Sequence, residues 1–263
     1  MVQGEKSKPD ECVILVKAQP HRSSKYFETV CCAGVGRDQK WRRQYPVPFR
    51  ILNDGQKFGR WQWISYESVS PEDDKRIESQ KVIAHSIQAQ GQMRPTERAN
   101  FLAPLVRSSF AEADAKRESL TLIRPRELAI SAIPKSDAQL AEEAQKHRLL
   151  ADQLSFFDST AEPLKPCRMR FVVNWKDQDS KDHRQECDDW ETSAAFNRFE
   201  RQYGQNRAIE IIKEKYEEIY FHAGLVLGFS THSRRNVENN TSNQWLLVGL
   251  IRLDETAQTT LLI

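Results

Sequence analysis

Apolar and polar positions change rhythm several times along this chain of 263 residues. Residues 12–18 and 29–35 are apolar and rich in β-branched side chains, which predicts strands. Trp61-Gln62-Trp63-Ile64-Ser65-Tyr66 alternates aromatic and polar residues, predicting a half-buried strand with both indoles on one face. Residues 70–76 read as a loop. Between 81 and 116 the pattern is mostly helical, broken at Pro95 and Pro104. Residues 119–123 and 128–133 read as a strand pair around Arg124-Pro125-Arg126.

Helical spacing is clearest further on. Residues 136–154 predict a helix capped by Ser136, with Leu140, Ala144, Leu150 and Leu154 on its apolar face. A connector follows at 156–166, then a strand at 168–175. Trp190, Ala194, Phe199 and Tyr203 lie near helical spacing, and Gly204 ends that helix. Ala208, Ile211, Ile212, Tyr216 and Ile219 mark one face of another helix over 207–220. Strands at 221–227 and 244–251 flank a very polar loop. This order predicts an α+β fold: a mixed or antiparallel sheet core with helices packed on it, and a helical C-terminal third closing with a strand pair. The division expected is a flexible N-terminus at 1–10, a β-rich part at 11–135 and a helical and β part at 136–263, the last two forming one compact unit.

Composition narrows the choice of partner. The hydrophobic fraction is 39% and the charged fraction 29%, with 39 Lys and Arg against 37 Asp and Glu, for a net charge of +2. A nucleic-acid site must therefore come from local clustering and not from global charge. The 5 cysteines include the neighbours Cys31 and Cys32, which cannot form a relaxed bridge to each other. The N-terminus has no apolar core of signal-peptide length, and the longest apolar runs are too short to cross a bilayer. These features predict a cytoplasmic protein with reduced thiols and no membrane partner. No GxxxxGK[ST], GxGxxG, HExxH or GxSxG motif occurs, so a P-loop, dinucleotide fold, zincin or hydrolase elbow has no support.

Three polar clusters carry candidate chemistry. The first spans residues 25–50, where Glu28 opens an apolar strand and Arg42, Arg43 and Arg50 alternate with Trp41, Tyr45 and Phe49. Guanidinium forks grip phosphates and aromatic faces stack on bases, although an edge strand with snorkelling arginines has the same pattern. The second spans 176–191, where His183, Cys187 and several acids lie together. One His and one Cys four residues apart are a weak metal signal. A solvated loop running into a helix capped by Asp188 or Asp189 accounts for some of the acids. The third is the loop of His232, Arg234 and Arg235, a phosphate or base-edge reader or simply a long hairpin loop.

KYFETVCCAG at 25–34, WRRQYPVPFR at 41–50, DDKRIES at 73–79, His183 with Asp189-Trp190-Glu191, and WLLVGL at 245–250 resemble a bacterial defence-associated family similar to anti-phage DNA glycosylases. Such glycosylases excise glucosylated hydroxymethylcytosine from phage DNA. The resemblance implies double-stranded DNA with modified bases as partner, base flipping, and cleavage of an N-glycosidic bond without a cofactor. It implies a carboxylate beside an oxocarbenium-like C1′, supplied by Asp189, Glu28 or Glu191 in that order. His183 or His232 would protonate the leaving base. Trp41, Tyr45 or Trp190 would stack on it, and Arg43, Arg50, Arg234 and Arg235 would hold flanking phosphates. A lysine nucleophile, Lys17 or Lys25, ranks below the carboxylates. Where relatives carry cysteines before the histidine, this chain has Asp177 and Ser180, which weighs against a metal.

Other readings use the same residues. A reader of modified bases would bind without cutting. A metal nuclease would use Glu28, Asp73, Asp74 and Glu78. A nucleotide transferase would need a nicotinamide site that the sequence does not offer.

Overall fold

The computed structural model describes residues 6–23, 27–155, 164–231 and 245–255. Strands β1 (Lys8–Lys17), β3 (Phe27–Val35), β4 (Trp41–Val47), β5 (Gln62–Val69) and β6 (Ser79–Val82) pair in the order β1–β3–β4–β6–β5. Strand β5 also pairs with β1, so the ring closes into a five-stranded barrel. The β4–β6 pairing is parallel and the others are antiparallel. Strand β2 (His21–Ser23) extends β3, and β7 (Gln88–Gln92) shares an edge of β5 with β6.

Strand alternation explains the unbroken apolar run of β1. Cys12 and Ile14 face a barrel interior filled by Val30, Cys32, Val47, Ile64, Tyr66 and Val82. Val13, Leu15, Ala33 and Val35 face outward, against a four-stranded sheet. That sheet is ordered β14 (Trp245–Arg252), β13 (Leu225–Thr231), β9 (Leu120–Ile123) and β8 (Val106–Arg107). Its other face packs on the sheet of β10 (Glu127–Pro134), β11 (Met169–Lys176) and β12 (Asp182–Glu186) and on the C-terminal helices. Gly34 sits at a close crossing inside the barrel: a Cβ there would come within 2.6 Å of the Val13 carbonyl oxygen and 2.7 Å of Cys12 Sγ.

The helices are α1 (Pro95–Leu102), α2 (Phe110–Ala115), α3 (Asp137–Ser155), α4 (Trp190–Tyr203) and α5 (Gln205–Lys213), the last continuing as a π-helical turn over Glu214–Tyr220. Ser136 caps α3 as expected. The Gln139 amide donates to Ser136 Oγ at 3.3 Å, and the Ser136 amide donates to Gln139 Oε1 at 3.0 Å. The fold is α+β, with helices concentrated in the C-terminal part and a strand pair, β13 and β14, near its end.

Several local expectations change. Strands β9 and β10 exist but do not pair with each other, because the turn at 124–126 passes the chain from one sheet to another. All of β9 is buried whereas β10 is mostly exposed or half-buried, so the two need different surroundings. Residues 81–94 hold no α-helix, only a single 3-10 turn at Ala84–Ser86: Gln88–Gln92 has no apolar stripe and is held by pairing with β5. The polar stretch before α4 contains β12, not only loop, since alternate side chains lie against its sheet. Residues 8–10 belong to β1, and 221–224 precede β13 in helical or turn conformation. Part of the connector at 156–163, and Lys25, fall outside the described residues. Among those described, no helix is long and apolar enough to cross a membrane.

Candidate active site

Where the end of β1, the approach to β5, the start of α4 and the middle of β14 meet, the chain buries a network of charges. Asp189 is the N-cap of α4 and is 0% exposed. Its carboxylate accepts from Arg60 Nη2 at 3.1 and 3.0 Å, the Glu191 amide at 3.2 Å, Thr192 Oγ1 at 3.2 Å and the Leu250 amide at 3.3 Å. Arg60 Nη1 also donates to the Leu250 carbonyl at 2.5 Å. Backbone contacts fix the crossing: Ala18 bridges Asp189, Gln19 N–H donates to the Asp188 carbonyl, and Asp188 N–H donates to the Leu247 carbonyl.

Glu191 stands one step further out. Its carboxylate oxygens lie 3.5 Å from Lys17 Nζ and 3.5 Å from Arg60 Nε, and its side chain is 31% exposed against 11% for Lys17. Lys17 Nζ donates to the Phe58 carbonyl at 3.2 Å and lies 4.7 Å from the Phe49 ring centroid. Trp190 meets Phe49 edge to face at 5.6 Å. On the other side, Lys215 Nζ lies 4.9 and 5.1 Å from the ring centroids of Tyr216 and Tyr220, while the Tyr216 and Thr192 hydroxyls bond at 2.8 Å.

These surroundings move the titrating groups. Burial alone would raise Glu191, but Arg60 and then Lys17 outweigh it and hold the carboxyl below its ordinary value. Burial is the largest influence on Asp189 and pushes it upward, with Arg60 opposing. Arg60 is pushed above the ordinary arginine value because Asp189 and Glu191 overcome the burial that disfavours its charge. Burial, then Arg60, lowers Lys215. The thiols go the other way. Burial raises Cys31 to about 11 and Cys12 to about 12, so neither is an activated nucleophile.

Asp189, Glu191 and Trp190 are therefore brought together, and Lys17 joins them. The order of the acids changes, however. Asp189 is closed off by five donor contacts and holds the fold, whereas Glu191 keeps solvent access. His183 is not part of the group. Its Nε2 bonds Asp177 Oδ2 at 2.8 Å, and its ring stacks on Trp175 at 4.3 Å and meets Phe110 at 5.1 Å.

The first cluster is split by strand alternation. Gln44 points into the barrel, donating to Cys12 Sγ and Tyr66 Oη, and Arg42 on the same side bonds Asp10 at 2.7 Å. Trp41, Arg43 and Tyr45 lie on the outward side. Arg43 is not an exposed phosphate grip: it is 7% exposed and donates to Glu78, Ser230 and Ser119. Trp41, Tyr45 and Arg50 are half-buried. Glu28 is placed by its backbone in β3, opposite Arg22 of β2. His232, Arg234 and Arg235 lie outside the described residues. Of the acids in the nuclease reading, Asp74 is held by Arg76 and Ser79, which pull it down to about 2 against the burial that would raise it, and Glu78 by Arg43 and Ser119. Among the described residues no three His, Cys, Asp or Glu side chains converge as a metal site.

Sequence reading missed Arg60 and Lys215. Arg60 adjoins an aromatic strand and carries no local mark of its carboxylate partners. A seven-residue π-helical turn at Lys215 was a fair signal only once seen in three dimensions, since such turns gather at functional sites.

Fold and site together define an α+β protein in which a small β-barrel is joined to a C-terminal sheet-and-helix body by a buried charge network. Residues 105–262 match the model of a domain family of unknown function (DUF8757), and the chain belongs to that family. Residues 8–107 match a second such model (DUF8758). Lys17 and Arg60 come from the first stretch and Asp189, Glu191 and Lys215 from the second, so the network spans both. Among curated proteins none matches the chain.

Proposed function

We propose that this protein acts on DNA and excises a base, with the Glu191 carboxylate at the reacting carbon. The observation carrying this reading is Glu191 itself: 31% exposed, held as a carboxylate by Arg60 and Lys17, and next in the chain to Trp190, whose ring meets Phe49. In the reaction, the bond between C1′ and the base nitrogen breaks, water oxygen bonds to C1′, and a proton passes to the departing base. Glu191 stabilises the positive charge at C1′ or takes the proton from water, which requires the ionised form. Lys17 positions that carboxylate. Trp190 offers a ring edge to a flipped nucleotide. The ring of β1, β3, β4, β6 and β5, with one parallel pair, has the make-up of the five-stranded barrels that bind oligonucleotides and oligosaccharides elsewhere, a scaffold argument only. A modified cytosine of phage DNA, met in the cytoplasm, is the substrate that the sequence resemblance implies.

The test incubates the protein with unmodified, hydroxymethylated and glucosylated DNA, with and without EDTA, followed by hot alkali and denaturing gels. Breaks that appear only after alkali and persist in EDTA are the expected result. Breaks abolished by EDTA would replace this reading with a metal nuclease. Tight binding without breaks would leave a reader of modified bases.

A further inference from the structure

At the other end of β1, around Asp10, the barrel and the C-terminal body enclose an open cleft of about 540 Å³. Asp10, Asp38, Trp41 and Arg42 come from the barrel side, Ile77 and Glu78 from the loop before β6, residues 116–119 from the segment between α2 and β9, and Leu120 from the start of β9. Leu105 lies in the wall where the two family matches overlap. Small-molecule sites favour such junctions, and this volume falls in their usual range.

The wall holds as many cations (Lys40, Arg42, Lys116, Arg117) as carboxylates (Asp10, Asp38, Glu78, Glu118), and two further arginines, Arg43 and Arg107, reach its carboxylates from behind. Every carboxylate has an arginine: Asp10 and Asp38 share Arg42, Glu78 has Arg43 and Glu118 has Arg107. Lys40, Lys116 and Arg117 are exposed and have no ion pair among the described residues. Three cations at the lip are thus left to face an incoming anion. Apolar surface stands beside them. Ile77 is fully exposed, and Trp41 is half-buried, lining the cleft while it packs against the cluster of Val13, Leu15 and Val35.

We propose that this cleft binds a nucleotide-sized phosphorylated ligand, with phosphates on Lys40, Lys116 and Arg117 and a planar apolar part against Trp41 and Ile77. The residues differ from those of the excision site, so either proposal can fail alone. Isothermal titration with ATP, inorganic pyrophosphate, adenosine and a short single-stranded oligonucleotide tests it. ATP should bind, and more tightly than pyrophosphate or adenosine. Lys116→Glu combined with Arg117→Glu should weaken ATP binding by about tenfold or more, with an unchanged thermal midpoint because both side chains are exposed. Ile77→Asp should weaken ATP but not pyrophosphate. Three results would overturn the proposal: no ATP binding at millimolar concentration, ATP affinity indifferent to the double charge reversal, or binding of the oligonucleotide alone.

Discussion

At Asp189, burial and pairing pull in opposite directions. Removing a carboxylate from water carries a large penalty, which Arg60 and the surrounding donors offset only while both partners are present. Asp189→Leu should therefore destabilise the protein by about 3–5 kcal/mol in urea titration, because Arg60 is left charged and buried. Adding Arg60→Met should recover much of that loss. A double variant no more stable than the single one would contradict the pairing. Lys215 is the reverse case, a half-buried cation that burial and Arg60 lower by more than Asp189 and Glu191 raise it, with the rings of Tyr216 and Tyr220 beside it. The folded state gives up this proton before the unfolded chain does. The penalty is thus full at low pH and fades as pH rises toward the ordinary lysine value of 10.5. Lys215→Met should raise the thermal midpoint at neutral pH, by roughly 2–4 °C per kcal/mol recovered, and an unchanged or lower midpoint would count against this account. Capping by Asp189 was legible in the sequence because it is local. Its pairing with Arg60 was not, because nothing within several residues of either one signals the other.

Element by element, the strands were easier to read than their partners. The apolar runs of β1 and β3 and the alternation of β5 follow from period-2 geometry, and α3, α4 and α5 from caps and apolar spacing. Pairing is a property of two segments at once, so the passage from β9 to β10 looked like a hairpin although each strand belongs to a different sheet. The same holds for β7, whose polar sequence becomes a strand only by lying along β5. Gly34 shows how a strand position can be fixed by a neighbour. Gly34→Ala would drive a methyl into the Val13 carbonyl and Cys12 Sγ, and should destabilise the barrel by about 1–3 kcal/mol in chemical denaturation. A neutral result would mean that β1 and β3 can separate more readily than their packing suggests.

Across the whole molecule, the barrel and the C-terminal body share one side of β1. Val13, Leu15, Ala33 and Val35 share one apolar cluster with Leu120, Leu122, Val226 and Val248 of the C-terminal body. A polypeptide ending at residue 107 would expose this face, and should aggregate or give poorly dispersed amide resonances. A well-dispersed monomeric spectrum would show that the barrel is self-sufficient. The same junction places Lys17 and Arg60 beside Glu191, so the proposed chemistry depends on both parts. The most direct test of that claim compares the protein with its Glu191→Gln variant on the DNA that yields alkali-labile breaks. DNA binding should be retained within a few fold while breaks fall by about 10²-fold or more. Undiminished breaks from the variant would remove Glu191 from the chemistry and, with it, the proposed site.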